Sequence, residues 1–243
     1  MSMTWCERRS PPISAGPEGD PVLLPATTRM LLAPAARLVF RLSIDGRDNV
    51  PRRGPVILAA NHLSFVDSLV IPLAAPRSVA FLAKAEFFQR PGLKGWLTRT
   101  SLIATDAIPV QRGGHRAAQS ALDVALGVLA EGRAFGIHPE GTRSRDGRLY
   151  RGRTGVGWLA LASGAPVVPV AVVGTDRVQP IGARLPRPGK VAVRFGRPLA
   201  FSAAELGSAG QARRAVTDEI MRAIQTLSGQ EPANVYNDVT IGT

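Results

Sequence analysis

Two short stretches of this chain carry polar residues at spacings that chemistry can use, and each follows an apolar run. In the first, the run Val56 to Ala60 ends at Asn61-His62-Leu-Ser64-Phe-Val-Asp67. Five apolar residues after a Pro/Gly break read as a buried strand. Ser64, ahead of Phe65, Leu69 and Val70 at helical spacing, reads as a helix N-cap. His62 then falls on the tight connection between strand end and helix start, where α/β folds place their sites. An imidazole there, with one nitrogen held by a carboxylate, keeps its other nitrogen free as a base. Asp67, in the first helical turn, is spaced to hold it. The same residues also fit a purely structural role: Ser64-x-x-Asp67 satisfies the capping-box pattern, with the carboxylate answering a backbone N–H and the helix dipole. Spacing alone leaves both readings open.

The second stretch, His138-Pro139-Glu140-Gly141-Thr142-Arg143-Ser144, follows the strand-like Arg133-Ala-Phe-Gly-Ile137. Gly141 allows close backbone approach to a ligand, and Thr142, Arg143 and Ser144 offer donors suited to a phosphate. Arg145, Arg148, Arg151 and Arg153 follow. The plainer alternative is a solvated Arg-rich turn built on Asp146-Gly147. Both stretches leave strand ends, so a parallel sheet would bring them to one cleft.

The elements that must position these residues alternate along the chain. Strands are expected at Val79 to Ala83, Ile108 to Arg112, Arg133 to Ile137, Val167 to Val173 and Val191 to Phe195, with Pro169 marking an edge or a bulge. Helices are expected over 115–131, closed by Gly132, over 154–163, and over a last segment striped by Val216, Ile220, Ile224 and Leu227 that ends at Gly229. Ser202-x-x-Glu205 is a capping-box candidate. The expected fold is a single α/β domain, a mainly parallel central sheet flanked by helices. Residues 1–25, rich in Pro, Gly and Ser, form a disordered tail, 26–230 the domain, and 231–243 a C-terminal tail. Within 26–42, Arg29, Arg37 and Arg41 share a face with Leu31, Leu38 and Leu42 around them, which makes an N-terminal amphipathic helix. It suits either a bilayer interface or packing on the core.

At 243 residues, 45% hydrophobic and 20% charged, the chain is globular and long enough for one sizeable core. Its net charge of +12 points to an anionic partner. With aromatics at only 5% there is no basic-aromatic platform for nucleic acid, which favours a membrane surface or a phosphorylated substrate. The single cysteine, Cys6, excludes a disulfide framework and fits a cytosolic chain. Residues 1–20 lack the apolar core of a secretory signal, and no run reaches the roughly 18 apolar residues of a spanning helix. The three histidines, His62, His115 and His138, stand without ligand spacing, so no metal site is expected.

Together the two polar stretches resemble the glycerolipid acyltransferase superfamily, the family of 1-acyl-glycerol-3-phosphate acyltransferases. Its N-H-x-x-x-x-D hallmark stands here as Asn61-His62 through Asp67, and its F-P-E-G-T-R-S block as His138 to Ser144. Its second block, an apolar strand ending in Arg, matches Ile108 to Arg112. Its fourth, V-P-V-x-V, matches Val168 to Val172, and its Lys-x-Glu-Phe segment is Lys84 to Phe87. Two positions depart: His138 stands for the usual Phe, and Asp106 for a common Gly.

The resemblance implies an acyl transfer from an acyl thioester, acyl-CoA or acyl carrier protein, to the free hydroxyl of 1-acyl-glycerol-3-phosphate (lysophosphatidic acid), giving phosphatidic acid. It implies His62 as base, Asp67 as its orienting partner, and Arg143, Lys84 and Arg112 on the acceptor phosphate, with Gly141 and Thr142 beside them. Glu140 braces the loop or contacts the acceptor. Helix N-terminal N–H groups are the expected oxyanion donors. Neither cofactor nor metal is called for, and the enzyme is expected to work peripherally on the cytoplasmic face of an anionic membrane. Related enzymes with another acceptor, such as a different lysophospholipid, glycerol 3-phosphate or an acylated aminolipid, share the same pattern, while intact His62, Asp67 and Arg143 speak against a basic membrane or nucleic-acid binder that keeps the fold without catalysis.

Overall fold

The computed structural model describes residues 34, 36–89, 91–92, 95, 99–100, 102, 105–110, 114–183, 185–202 and 208–237. The apolar runs become strands of one sheet: β1 (Ser43–Asp45), β2 (Val56–Ala60), β3 (Val79–Lys84), β4 (Ala107–Val110), β5 (Ala134–Ile137), β6 (Val167–Val173) and β7 (Ala192–Phe195). The helices among the described residues include α1 (Asp67–Ala74), α2 (Gly114–Ala130), α3 (Gly155–Ser163), α4 (Thr175–Val178) and α5 (Ala209–Ser228). Sheet order is β1-β7-β6-β2-β5-β3-β4, parallel throughout except where β6 meets β7. Parallel strands require crossovers, and α1, α2 and α3 carry the chain from β2 to β3, from β4 to β5 and from β5 to β6.

β2 is central, between β5 and β6. Val56, Leu58 and Ala60 point to one face, with Val70, Ile71 and Ala74 of α1. Ile57 and Ala59 point to the other, with Leu129 of α2, Leu159 of α3 and Ile220 of α5. A strand covered on both faces has no polar face to show, which is why its sequence does not alternate. Its end is thereby fixed by core packing, and His62 is the second residue beyond it.

Pro169 lies at a bulge, not an edge. Val170 pairs with Phe195, while Val167 bridges to Leu199, so three steps on β6 face four on the other strand. The extra residue sits opposite the proline that cannot donate. Asp106 takes φ of 55°, the left-handed turn a Gly would adopt, and its carboxylate binds Arg133 at 2.7 Å. That accounts for the departure from Gly.

Three expectations change. β1 was unexpected, since three residues are too few to show a period. Ser64 stands ahead of the N-cap position of α1, which starts at Asp67 after Val66; its hydroxyl accepts the Val66 N–H at 3.4 Å in the turn entering the helix and donates to the Gln179 carbonyl at 3.0 Å. The capping box of the last helix is Ser208 with Gln211, and residues 203–205 of the expected Ser202-x-x-Glu205 box lie outside the described residues. The 1–25 tail and most of the 26–42 helix also lie outside them. Of that helix, residues 36–39 are helical, with Ala36 and Phe40 buried and Arg37, Leu38, Val39 and Arg41 exposed. The residues after α5 dock as a strap: Leu149 N–H donates to Glu231 O, Ala233 N–H to Leu149 O and Arg151 N–H to Val235 O.

Candidate active site

The 138–153 loop and the 61–67 turn are stitched together at His62. Its backbone N–H donates to Glu140 Oε1 at 2.9 Å, and its carbonyl accepts from Ser144 N–H at 2.7 Å. Glu140 is fully buried, and its other oxygen accepts from Tyr150 N–H at 2.9 Å. Burial pushes this carboxyl up to about 7, against the opposing pull of the two N–H groups. Both oxygens accept backbone N–H groups, so Glu140 braces the loop against the turn that carries His62.

The His62 ring meets Asp67 as the spacing requires: Nδ1 lies 2.9 Å from Oδ2. That same oxygen accepts the N–H groups of Leu63 at 2.6 Å and Ser64 at 2.7 Å. The structural and the chemical readings of Asp67 therefore hold at once. Full burial works against its charge, yet the hydrogen bond and the charge of His62, with the Ser64 N–H, hold its pKa below the usual carboxylate value. An ionised Oδ2 requires Nδ1 to be the protonated nitrogen of a neutral His62 and leaves Nε2 with a lone pair. Because Leu63 and Ser64 N–H are spent on Asp67, they cannot serve as oxyanion donors. The α1 start offers little else, since Asp67, Leu69 and Val70 N–H bond to Ser64 and Val66 carbonyls.

Asn61, fully buried, reproduces a strand's bonding with its side chain. Its Oδ1 accepts Val172 N–H at 2.7 Å while Nδ2 donates to Val172 O at 2.9 Å and to Gln230 Oε1 at 2.7 Å. It ties the end of β2 to β6 just before the base. His138 stacks on His62 with centroids 3.9 Å apart and planes 9° apart, its Nδ1 within 3.1 Å of the Ala60 and Asn61 carbonyls. Its Nε2 is buried with no partner. Burial, and then the neighbouring His62 charge, drive its pKa down to about 3, so it stays neutral with the proton on Nδ1.

A cavity of about 630 Å³ opens beside these rings, lined by His62, His138 and Gly141 at one end and by Phe81, Leu122, Ile137 and Trp158 along its walls. Phe81 lies across β5, where only Gly136 leaves room, and its ring meets His138 at 5.5 Å. Gly141 takes φ of 80° under the Arg153 side chain, the left-handed turn that a glycine adopts freely, at the end of the cavity beside His62.

Thr142 and Arg143 side chains make no hydrogen bond among the described residues, and their backbone N–H groups are likewise unpartnered there. Of the arginine run, Arg148 is tied to Asp146 at 2.7 Å, while Arg151 and Arg153 lie over the Tyr236 ring. Lys84 ends β3, two strands from β2 at the same end of the sheet. Arg112 lies outside the described residues. Among those, no group of His, Cys, Asp or Glu is placed to hold a metal ion.

Residues 41–173, more than half the chain, match the Acyltransferase family. The chain belongs to the glycerolipid acyltransferase superfamily. A chloroplastic 1-acyl-sn-glycerol-3-phosphate acyltransferase of Arabidopsis thaliana is 30% identical over 169 residues, 69% of this chain and 46% of that protein. A 1-acyl-sn-glycerol-3-phosphate acyltransferase of Borreliella burgdorferi is 31% identical over 137 residues, 56% of this chain and 53% of its own length. The chain thus spans about half the length of these relatives. The crystal structure of the 1-acyl-sn-glycerophosphate acyltransferase PlsC from Thermotoga maritima superposes with a TM-score of 0.61 at 26% identity, covering 83% of this chain and 82% of that one.

In this family member, sequence reasoning missed the wiring behind the site. Gln230 links Asn61 to Gly147 O, and Asn237 Nδ2 donates to Arg143 O at 3.1 Å. Polar residues just after the closing Gly229 were the available signal.

Proposed function

We propose that this acyltransferase moves a fatty acyl chain from an acyl thioester, with acyl-CoA favoured, to the free hydroxyl of 1-acyl-glycerol-3-phosphate, making phosphatidic acid. The observation that carries the reading is a base with a held tautomer at the mouth of an apolar cavity. In the reaction, His62 Nε2 removes the proton of the acceptor hydroxyl as its oxygen bonds to the thioester carbonyl carbon. Asp67 steadies the imidazolium that forms. The tetrahedral intermediate collapses with loss of the C–S bond, and the thiolate recovers the proton from His62. No covalent acyl-enzyme is needed, because the substrate supplies the nucleophile. The scheme takes no cofactor; the thioester is a substrate.

The apolar walls around Phe81, Leu122 and Trp158 suit an acyl chain. Arg143, with the N–H groups of Thr142 and Arg143, is assigned to the acceptor phosphate, and Lys84 and Arg112 are assigned to its far side. Anionic lipid and lysolipid share a membrane surface, so we place the protein peripherally on the cytoplasmic face; among the described residues no helix is long and apolar enough to cross a membrane.

The test is transfer of labelled acyl from acyl-CoA to lysophosphatidic acid, comparing the parent chain with His62→Ala. Removing the base is expected to lower the rate roughly 10²–10⁴-fold. Equal activity in both would refute the role of His62. Activity in neither, with acyl carrier protein donors also inert, would refute the reaction.

A further inference from the structure

Away from the apolar cavity, the same end of the sheet has a second opening of about 740 Å³. Its walls come from the chain entering β1, from the α4 region and from the 188–192 segment leading into β7, and its inner end reaches Leu63, the residue after the base. Arg41, Arg177 and Lys190 line it against one carboxylate, Asp176. All three cations are exposed, and none forms an ion pair among the described residues. Of the six large hydrophobic residues exposed among the described residues, four lie on the two chain segments that supply these cations: Leu38 at 82%, Leu185 at 68%, Val39 at 43% and Ile181 at 42%. Backbone bonds join the two segments that carry them, Gly189 N–H to Val39 O at 3.3 Å and Val191 N–H to Phe40 O at 3.0 Å.

We propose that residues 36–41, 177–183 and 185–190 form one docking surface for an anionic lipid bilayer, with a lipid phosphate received between Arg41, Arg177 and Lys190. The reading rests on the acyltransferase function and adds the residues after α4 to the N-terminal segment. Charge and apolarity together select the occupant. A soluble phosphate would need the cations but gain nothing from exposed leucines. A nucleic acid would meet aliphatic tips where it prefers stacking rings or donors. A bilayer interface satisfies both, taking the aliphatic tips among its acyl chains while its anionic headgroups meet the cations. The opening next to Leu63 then sets the membrane on the side from which a lysolipid headgroup approaches His62.

The test uses the full chain, without acyl donor or acceptor, in co-sedimentation with phosphatidylcholine vesicles with and without phosphatidylglycerol. Because no turnover is read, the result stands apart from the acyl-transfer assay. Binding is expected only with the anionic lipid. Arg177→Ala combined with Lys190→Ala should weaken it roughly thirtyfold, at about a fivefold loss per cation. Ile181→Asp combined with Leu185→Asp should weaken it roughly tenfold or more. Both pairs are exposed, and circular dichroism checks that each variant folds. Equal binding to neutral vesicles, parent-like binding by the Asp variant, or retention of duplex DNA in place of vesicles would each overturn the surface. Intact anionic binding by a protein that transfers no acyl group would uphold it and count only against the reaction.

Discussion

Replacing His138 by Phe isolates what a neutral, buried imidazole contributes beneath the base. In the folded chain His138 is half-buried with its Nε2 covered, its Nδ1 hydrogen is committed to two carbonyls, and its pKa is driven down to about 3 from an ordinary 6.5. The unfolded chain therefore takes up a proton at this position well before the folded one does. The sign follows: this histidine's contribution to stability is complete above about pH 6.5 and is lost as pH falls toward 3. Each pH unit in that window costs about 1.4 kcal/mol, so by pH 5 the loss is about 2 kcal/mol. His138→Phe removes the proton-binding site while keeping a ring against His62 and Phe81. Urea unfolding of both proteins between pH 7.5 and pH 5 measures the effect, and the difference between them cancels the titrations they share, such as that of Glu140. The parent should lose about 2 kcal/mol relative to the variant over that range. Parallel stability curves would mean that His138 protonates as readily folded as unfolded, and the neutral stack would be wrong.

Other outcomes follow from the same geometry. Asp67→Asn keeps the shape but takes the charge from an oxygen accepting three hydrogen bonds; kcat should fall at least 10²-fold, and stability by about 3 kcal/mol at about 1 kcal/mol per bond. An unchanged kcat would remove Asp67 from the reaction. Gly136→Ala drives a methyl into the Phe81 ring and should cost about 1–3 kcal/mol in thermal unfolding; a parent-like melting temperature would mean the ring moves aside freely. Arg143→Lys replaces a planar fork by a point charge, so KM for lysophosphatidic acid should rise, and kcat should fall with it because the same loop holds His62. A KM that does not move would place the phosphate elsewhere.

The alternation of apolar runs with helical spacing was sufficient to anticipate the parallel sheet and the meeting of its two polar stretches, because both depend on local pattern and chain order. The contact of His62 with Asp67, five residues apart, was legible for the same reason. What stayed hidden depends on residues far apart in sequence. Glu140 meets the His62 N–H across 78 positions, and Asn61 meets Val172 across 111. No periodicity marks such pairs. The stack of His138 on His62 also needs the backbone turn at residues 60–62, which a sequence does not display. β7 runs antiparallel to β6 because the short α4 turn and the 179–190 segment reverse the chain without a full crossover, and a strand's own residues do not encode that direction.

His62 hands both its N–H and its C=O to the loop that carries Arg143. The base and the proposed phosphate grip are thus parts of one rigid body, with Glu140 and Ser144 as its rivets. A ligand that seats correctly on the loop also sets the angle of the imidazole, and one that seats poorly tilts it. Discrimination among acceptors would then be written into turnover as much as into affinity: a lysolipid with a misfitting headgroup could occupy the cleft and still wait, its hydroxyl a fraction of an ångström out of line.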